Sequence, residues 1–192
     1  MQARAVISIV ASLVLLALPQ AGRAQLKINE VYYRPAAHPG ANQFVELVNA
    51  GATTVYLDGL ILTEEADAGV EGVFQFPGSG TDHPVPPGGL VVIAADADAS
   101  DGDAPDLAAL ADWECLAGPA DFDNPSVPNL TRVAGLSDLS IYEFGDNLIL
   151  ADGSDSAPPL DPATFIDSLN VVGGGGELAP LGGGAMDENP FA

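Results

Sequence analysis

The chain has 192 residues, 47% of them hydrophobic, with 27 acidic residues against five basic ones and a formal charge of −22. A field of that sign repels nucleic acid phosphates and anionic lipid surfaces, and the basic patch that drives nucleic-acid binding is missing. It favours cations, basic partners or plain solubility, and an acidic surface adapted to salt is its simplest explanation.

The first element is a leader, expected over 1–24. Arg4 supplies a positive start, Val6 to Leu18 is an apolar run interrupted only by Ser8 and Ser12, and Gly22 and Ala24 occupy the −3 and −1 positions of a small-residue cleavage site. The run falls short of the ~20 apolar residues that a membrane span needs. No cysteine lies near the cleavage point, which argues against a lipoprotein, and no later segment is long and apolar enough to insert. The expected location is therefore extracellular or periplasmic, with no membrane insertion once the leader is cleaved. Removing the leader leaves Lys27, Arg34 and Arg132 against all 27 acidic residues.

From Leu26 on, the pattern is strands and turns. Leu26 to Arg34 is the first predicted strand and Pro35 to Ala41 a turn cluster. Gln43 to Asn49 is the second strand, with Phe44, Glu46 and Val48 on one face and Val45 and Leu47 on the other. Asn49-Ala50-Gly51 turns into a third strand, Val55 to Thr63, where Asp58-Gly59 inside an apolar run marks a bulge or tight bend. Val73 to Phe76 is stopped by Pro77-Gly78, and a proline-rich loop from Ser79 to Gly89 precedes Leu90 to Ala95, whose continuous hydrophobicity predicts burial on both faces.

Asp96 to Asp103 reads as an exposed acidic loop. Pro105 to Trp113 is the one predicted helix, with Leu107, Leu110 and Trp113 towards one side. Leu139 to Phe144 and Leu148 to Ala151 flank Gly145-Asp146-Asn147 as a candidate hairpin, and Thr164 to Val172 is the last strand. The glycine- and proline-rich stretch 173–192 reads as a flexible tail. Many short strands with frequent turns indicate an all-β sandwich or barrel of one domain, 25–172, with one short helix in a long middle loop.

The order Ile28-Asn29-Glu30-Val31, Phe44-Val45-Glu46-Leu47-Val48-Asn49, Val55-Tyr56-Leu57-Asp58-Gly59, Phe74-Gln75-Phe76-Pro77 and Pro86 to Ile93 resembles the lamin-tail domain. Gly145 to Leu150 and Phe165 to Leu169 are similar to that family's closing strands. The resemblance implies an immunoglobulin-like β-sandwich with no conserved catalytic residues. It also makes the stretch from Asp96 to Val133 longer than a compact copy needs.

The residues themselves show little chemistry. No G-x-S-x-G, P-loop or dinucleotide fingerprint occurs. Cys115 is the only cysteine, so no intramolecular disulfide forms and cohesion must come from an apolar core. Cys115 reads as a small buried residue, since only His38 and His83 could serve as its base and neither sits in a cysteine-hydrolase context. Two distant histidines and one cysteine make no zinc motif. Asp96, Asp98, Asp101 and Asp103 could offer oxygens to Ca²⁺, but Asp101 falls where an EF-hand needs glycine and Leu107 where it needs the bidentate glutamate. Asn29, Asn49, Asp58 and Gly59 are expected to serve the backbone. Asn129-Leu130-Thr131 matches the glycosylation pattern and is read as an incidental match.

No catalytic, cofactor-binding or metal residue is assigned, and no cofactor. The function expected is a secreted non-catalytic binding or structural module that recognises an extracellular protein or polysaccharide by strand edges or end loops. The alternative is a Ca²⁺-dependent carbohydrate-binding protein or an accessory domain of an extracellular hydrolase. N-terminal sequencing of exported protein should begin at Gln25; recovery from the medium of chains that still start at Met1 would refute the leader.

Overall fold

The computed structural model describes residues 25–33, 43–64, 72–97, 107–115, 123–135, 139 and 144–172. The expected leader and tail, and most of the acidic loop after Ala97, lie outside them.

Alternation builds the first sheet. In β2 (Phe44–Asn49) Val45, Leu47 and Asn49 are buried and Phe44, Glu46 and Val48 half-buried, as the sequence predicts. On one side β2 pairs antiparallel with β1 (Leu26–Tyr32), and on the other with β7 (Leu90–Ala94). A two-residue strand, β8 (Trp113–Glu114), runs parallel to β7 at the far edge, giving the order β1-β2-β7-β8.

The predicted third strand divides. After β3 (Val55–Tyr56) the chain turns at Asp58-Gly59, where Gly59 has φ +75° and Leu60 N–H donates to the Leu57 carbonyl at 2.9 Å. It then enters a different sheet as β4 (Ile61–Thr63). A side chain at 59 would be strained at that φ. Gly153, also left-handed at φ +71°, packs so closely that a Cβ there would overlap the Gly59 carbonyl oxygen. β3 pairs with β6 (Pro84–Val85), a strand inside the segment expected to be loop.

The second sheet has the order β11-β10-β4-β5-β9, adding β5 (Val73–Gln75), β9 (Thr131–Ala134), β10 (Phe144–Ala151) and β11 (Phe165–Val172). Its central strands β4, β5 and β10 are apolar on both faces. Leu62, Phe74, Leu148 and Leu150 face the first sheet and join Leu26, Val45, Leu47, Val91 and Ile93 in the main core. Ile61, Val73, Ile149 and Ala151 lie in a second cluster with Leu160, which the 152–164 segment supplies. Each fully buried leucine, isoleucine or phenylalanine contributes roughly 1.5–3 kcal/mol, so these clusters can hold a disulfide-free chain together.

Several expectations need correction. Gly145-Asp146-Asn147 is no hairpin turn. It lies within the continuous strand β10, which pairs with both β11 and β4, and the irregularity is absorbed as a register shift between Phe144 and Asp146. The helix is one turn, α1 (Leu107–Leu110). Asp112 ends it by bonding twice to β7, its N–H to the Val92 carbonyl and its carboxylate to the Val92 N–H, which turns Trp113 and Glu114 into strand. β9 falls where loop was expected. Leu90 is 54% exposed, so β7 is covered on both faces only towards Ala94, where Leu107, Val127 and Ala97 pack outside the sheet.

The two sheets meet at one side through their edge strands. The Asp167 carboxylate of β11 accepts the Ile28 N–H of β1 at 2.8 Å and lies 3.5 Å from Lys27 Nζ. The ion pair is partly solvated and contributes little; the bond to a charged acceptor carries more. Asp167→Ala should lower the free energy of unfolding by about 1–3 kcal/mol in a denaturant titration, and Asp167→Asn, which keeps an acceptor, by less.

Candidate functional site

Three groups of polar side chains stand out: those of the sequence signature, a buried acid at one end, and an acidic pair on the first sheet, Glu30 exposed and Glu46 half-buried.

The signature residues serve the backbone. Asn49 is fully buried; its amide donates at 2.8 Å to the carbonyls of both Thr53 and Val85, and its Oδ1 accepts from Gly51 N–H at 3.0 Å. Asp58 closes the 78–83 loop: Oδ1 accepts the Asp82 N–H and Oδ2 the His83 N–H, both at 3.0 Å. Burial opposes ionisation of Asp58, but backbone N–H groups of His83, Asp82, Asp58 itself and Gly80 outweigh it and hold the carboxyl below its ordinary range. Gln75 bonds the Gly59 carbonyl at 3.1 Å. The expectation that Asn49, Asp58 and Gly59 act structurally therefore agrees with the geometry. Asn29 differs: it bonds a side chain, Glu46, at 2.6 Å.

The buried acid is Glu114, which the sequence did not single out. It is fully buried beside Trp113, whose ring meets Phe76 and His83 edge-on at centroid distances of 5.5 and 4.8 Å. Oε2 accepts the Ala97 N–H at 2.8 Å and Oε1 the Asn124 N–H at 3.1 Å, while the Asn124 amide returns to the Ala97 carbonyl at 2.9 Å. Glu114 thus ties the segment after β7 to the one before β9. Burial is the main influence on its acidity; the two N–H donors oppose burial, the charges of Asp123 and then Asp96 assist it, and the carboxyl is pushed up to about 7. A lone Glu between Trp and Cys, in a segment of no clear periodicity, gave the sequence no signal for this role.

Of the candidate Ca²⁺ ligands, Asp96 is buried with Ala97 at this end, where an exposed loop was expected, and Asp98, Asp101 and Asp103 lie outside the described residues. Both Glu114 oxygens already accept N–H groups, a poor arrangement for a ligand. Among the described residues no three His, Cys, Asp or Glu converge to hold a metal ion, and no helix is long and apolar enough to cross a membrane. Cys115 is buried, as expected, and His38 lies outside the described residues. Asn129 is exposed and donates to Asp123 at 2.7 Å.

The third group is Asn29, Glu30 and Glu46. A register shift between Ile28 and Glu30 makes Asn29 an extra residue in β1, and Asn29 and Glu30 are both exposed. Glu30 then stands opposite Glu46.

The family model of the lamin tail domain matches residues 19–158. The chain belongs to the lamin tail domain family. Its sheets are similar to those of a DUF4876 family protein from Bacteroides thetaiotaomicron, at TM-score 0.60 and 17% identity over 77% of this chain. The chain spans about half, 53%, of that protein's length. No curated protein matches the sequence. In this lamin tail domain the signature segments are β1, β2, the β3–β4 turn, β5 and the β6–β7 unit, and β11 continues the sheet beyond the matched range.

Glu114 makes a pH prediction. Its folded carboxyl titrates near 7 and an ordinary glutamate near 4.5, so the stability its protonated form contributes is complete below about 4.5 and is lost as pH rises through about 7. Gln at this position imitates the protonated acid. The melting point of Glu114→Gln relative to the parent should therefore rise across pH 4.5–7.5, equivalent to roughly 1–3 kcal/mol after allowance for screening. A constant difference across that range would show that Glu114 does not titrate there.

Proposed function

We propose that this lamin tail domain is an exported, non-catalytic recognition module whose contacts are made by a sheet face, strand edges or end loops. The observation that carries this is the employment of its polar signature residues: Asn49 and Asp58 spend their oxygens and amide on backbone groups, which leaves the distinctive motifs holding the scaffold. The leader-like N-terminus supports export, and the charge of −22 favours basic or neutral extracellular partners over nucleic acid.

The test combines binding, turnover and a melt. Exported protein is screened on immobilised extracellular polysaccharides and proteins in EDTA and in Ca²⁺. Binding should persist in EDTA, with no release of reducing sugar or peptide. The melting point should climb smoothly as NaCl goes from about 0.01 to 1 M, shortening the Debye length from ~30 to ~3 Å, with KCl equivalent and millimolar Ca²⁺ adding little at high salt. A saturable one-to-one Ca²⁺ shift, abolished on replacing Asp96, Asp98, Asp101 and Asp103, would favour the Ca²⁺-dependent carbohydrate-binding alternative. Turnover of a captured polymer would overturn the non-catalytic assignment.

A further inference from the structure

We propose that the outer face of the first sheet, centred on Glu30 and Glu46, docks an extended cationic segment of a partner protein, in which Lys or Arg and apolar side chains take turns at every second position, the positions that face the sheet. This deepens the recognition role above and rests on it.

The core does not explain these residues. The extra residue in β1 sends Ile28 and Val31 inward against the core and leaves Asn29 and Glu30 exposed outside. Glu46, on the outward-facing set of β2, is in register with Glu30. Like charges directly opposite on a sheet destabilise it. Asn29 fixes the Glu46 carboxylate at 2.6 Å without supplying charge, and Lys27, the basic residue of β1, is turned to Asp167. The acidic pair therefore stands at a cost to the fold.

Its frame is apolar. Towards one end Tyr32 and Phe44 stack at 5.5 Å and 26°; towards the other, Val48 stands opposite Leu90, which is 54% exposed, with half-exposed Val92 beside Glu46 in register.

Charge selects the occupant. A second copy, with formal charge −22, would bring acid against acid, and an uncharged apolar partner would bury two carboxylates without compensation. A guanidinium or ammonium group can lie between Glu30 and Glu46 and against the Tyr32 ring face. Every second side chain of an extended segment faces the sheet, so a cation at one facing position and an apolar residue at the next fall on the Glu30–Glu46 pair and on Val48, Leu90 or Val92.

The probe is a fluorescein-labelled peptide of repeated Arg-Ser-Leu-Ser, which sets Arg and Leu on one face of an extended chain, read by anisotropy with the exported protein. It should bind. Glu30→Gln with Glu46→Gln should weaken it by about tenfold or more, and Leu90→Ser by roughly threefold. Asp123→Asn with Asp161→Asn removes the same charge elsewhere while keeping each acceptor, and should change binding by less than about twofold. The Glu30/Glu46 variant should melt at or above the parent's temperature, because it loses a repulsion. Equal weakening by the two double variants, or full displacement of the peptide by spermine at matched charge, would assign binding to the field of the whole molecule and overturn the docking face. Failure of the peptide to bind would overturn the cationic occupant, whereas the recognition role itself stands or falls on the polysaccharide and protein screen.

Discussion

Backbone N–H groups released at turns and sheet edges must find acceptors, and in this chain carboxylates repeatedly supply them. Asp58 gathers the 78–83 loop, Asp112 stops the helix against β7, Glu114 joins two end segments, and Asp167 bridges the sheets. Asp155 and Asp161 do the same around the 157–163 turn. No disulfide supports these connections, since the chain has one cysteine. The acidity that first reads as a surface property is thus partly internal scaffolding, and a lamin tail domain of this kind depends on those acids being in place.

That dependence carries opposing pH demands. Asp58 is held ionised by its donors, so its contribution is lost in acid, whereas Glu114 favours its protonated form and its contribution is lost towards neutrality. The difference arises from the surroundings: Asp58 is gripped by several N–H groups in a turn, and Glu114 is sunk between apolar neighbours with two other carboxylates near it.

Period-two alternation, a continuous apolar run in the case of β7, and turn residues are enough to read β1, β2, β7 and β11, the all-β class and the structural duty of Asn49 and Asp58. What misled was local chemistry overridden by distant pairing. Gly145-Asp146-Asn147 has the composition of a turn, but the ladder with β11 draws it straight. Leu107 to Trp113 has helical spacing, but Asp112 bonds across to Val92 and diverts it. β6, β8 and β9 are too short or too polar to announce themselves. Glu114 was hidden because its burial comes from segments some ten to seventeen residues away in sequence, and Glu30 because an extra residue, not alternation, turns it outward.

The meeting of β1 and β11 has a mechanical consequence. The first and last described strands belong to different sheets and are joined by a side-chain bond and apolar contacts, not by a ladder. Within each sheet, by contrast, β1 is laced to β2 and β11 to β10 along most of their lengths. Tension that reached the domain through its two ends would meet its weakest seam there. The sheets would part at Asp167 while their own ladders stayed closed, so stretching would open this sandwich along one side, like a book, before unravelling it.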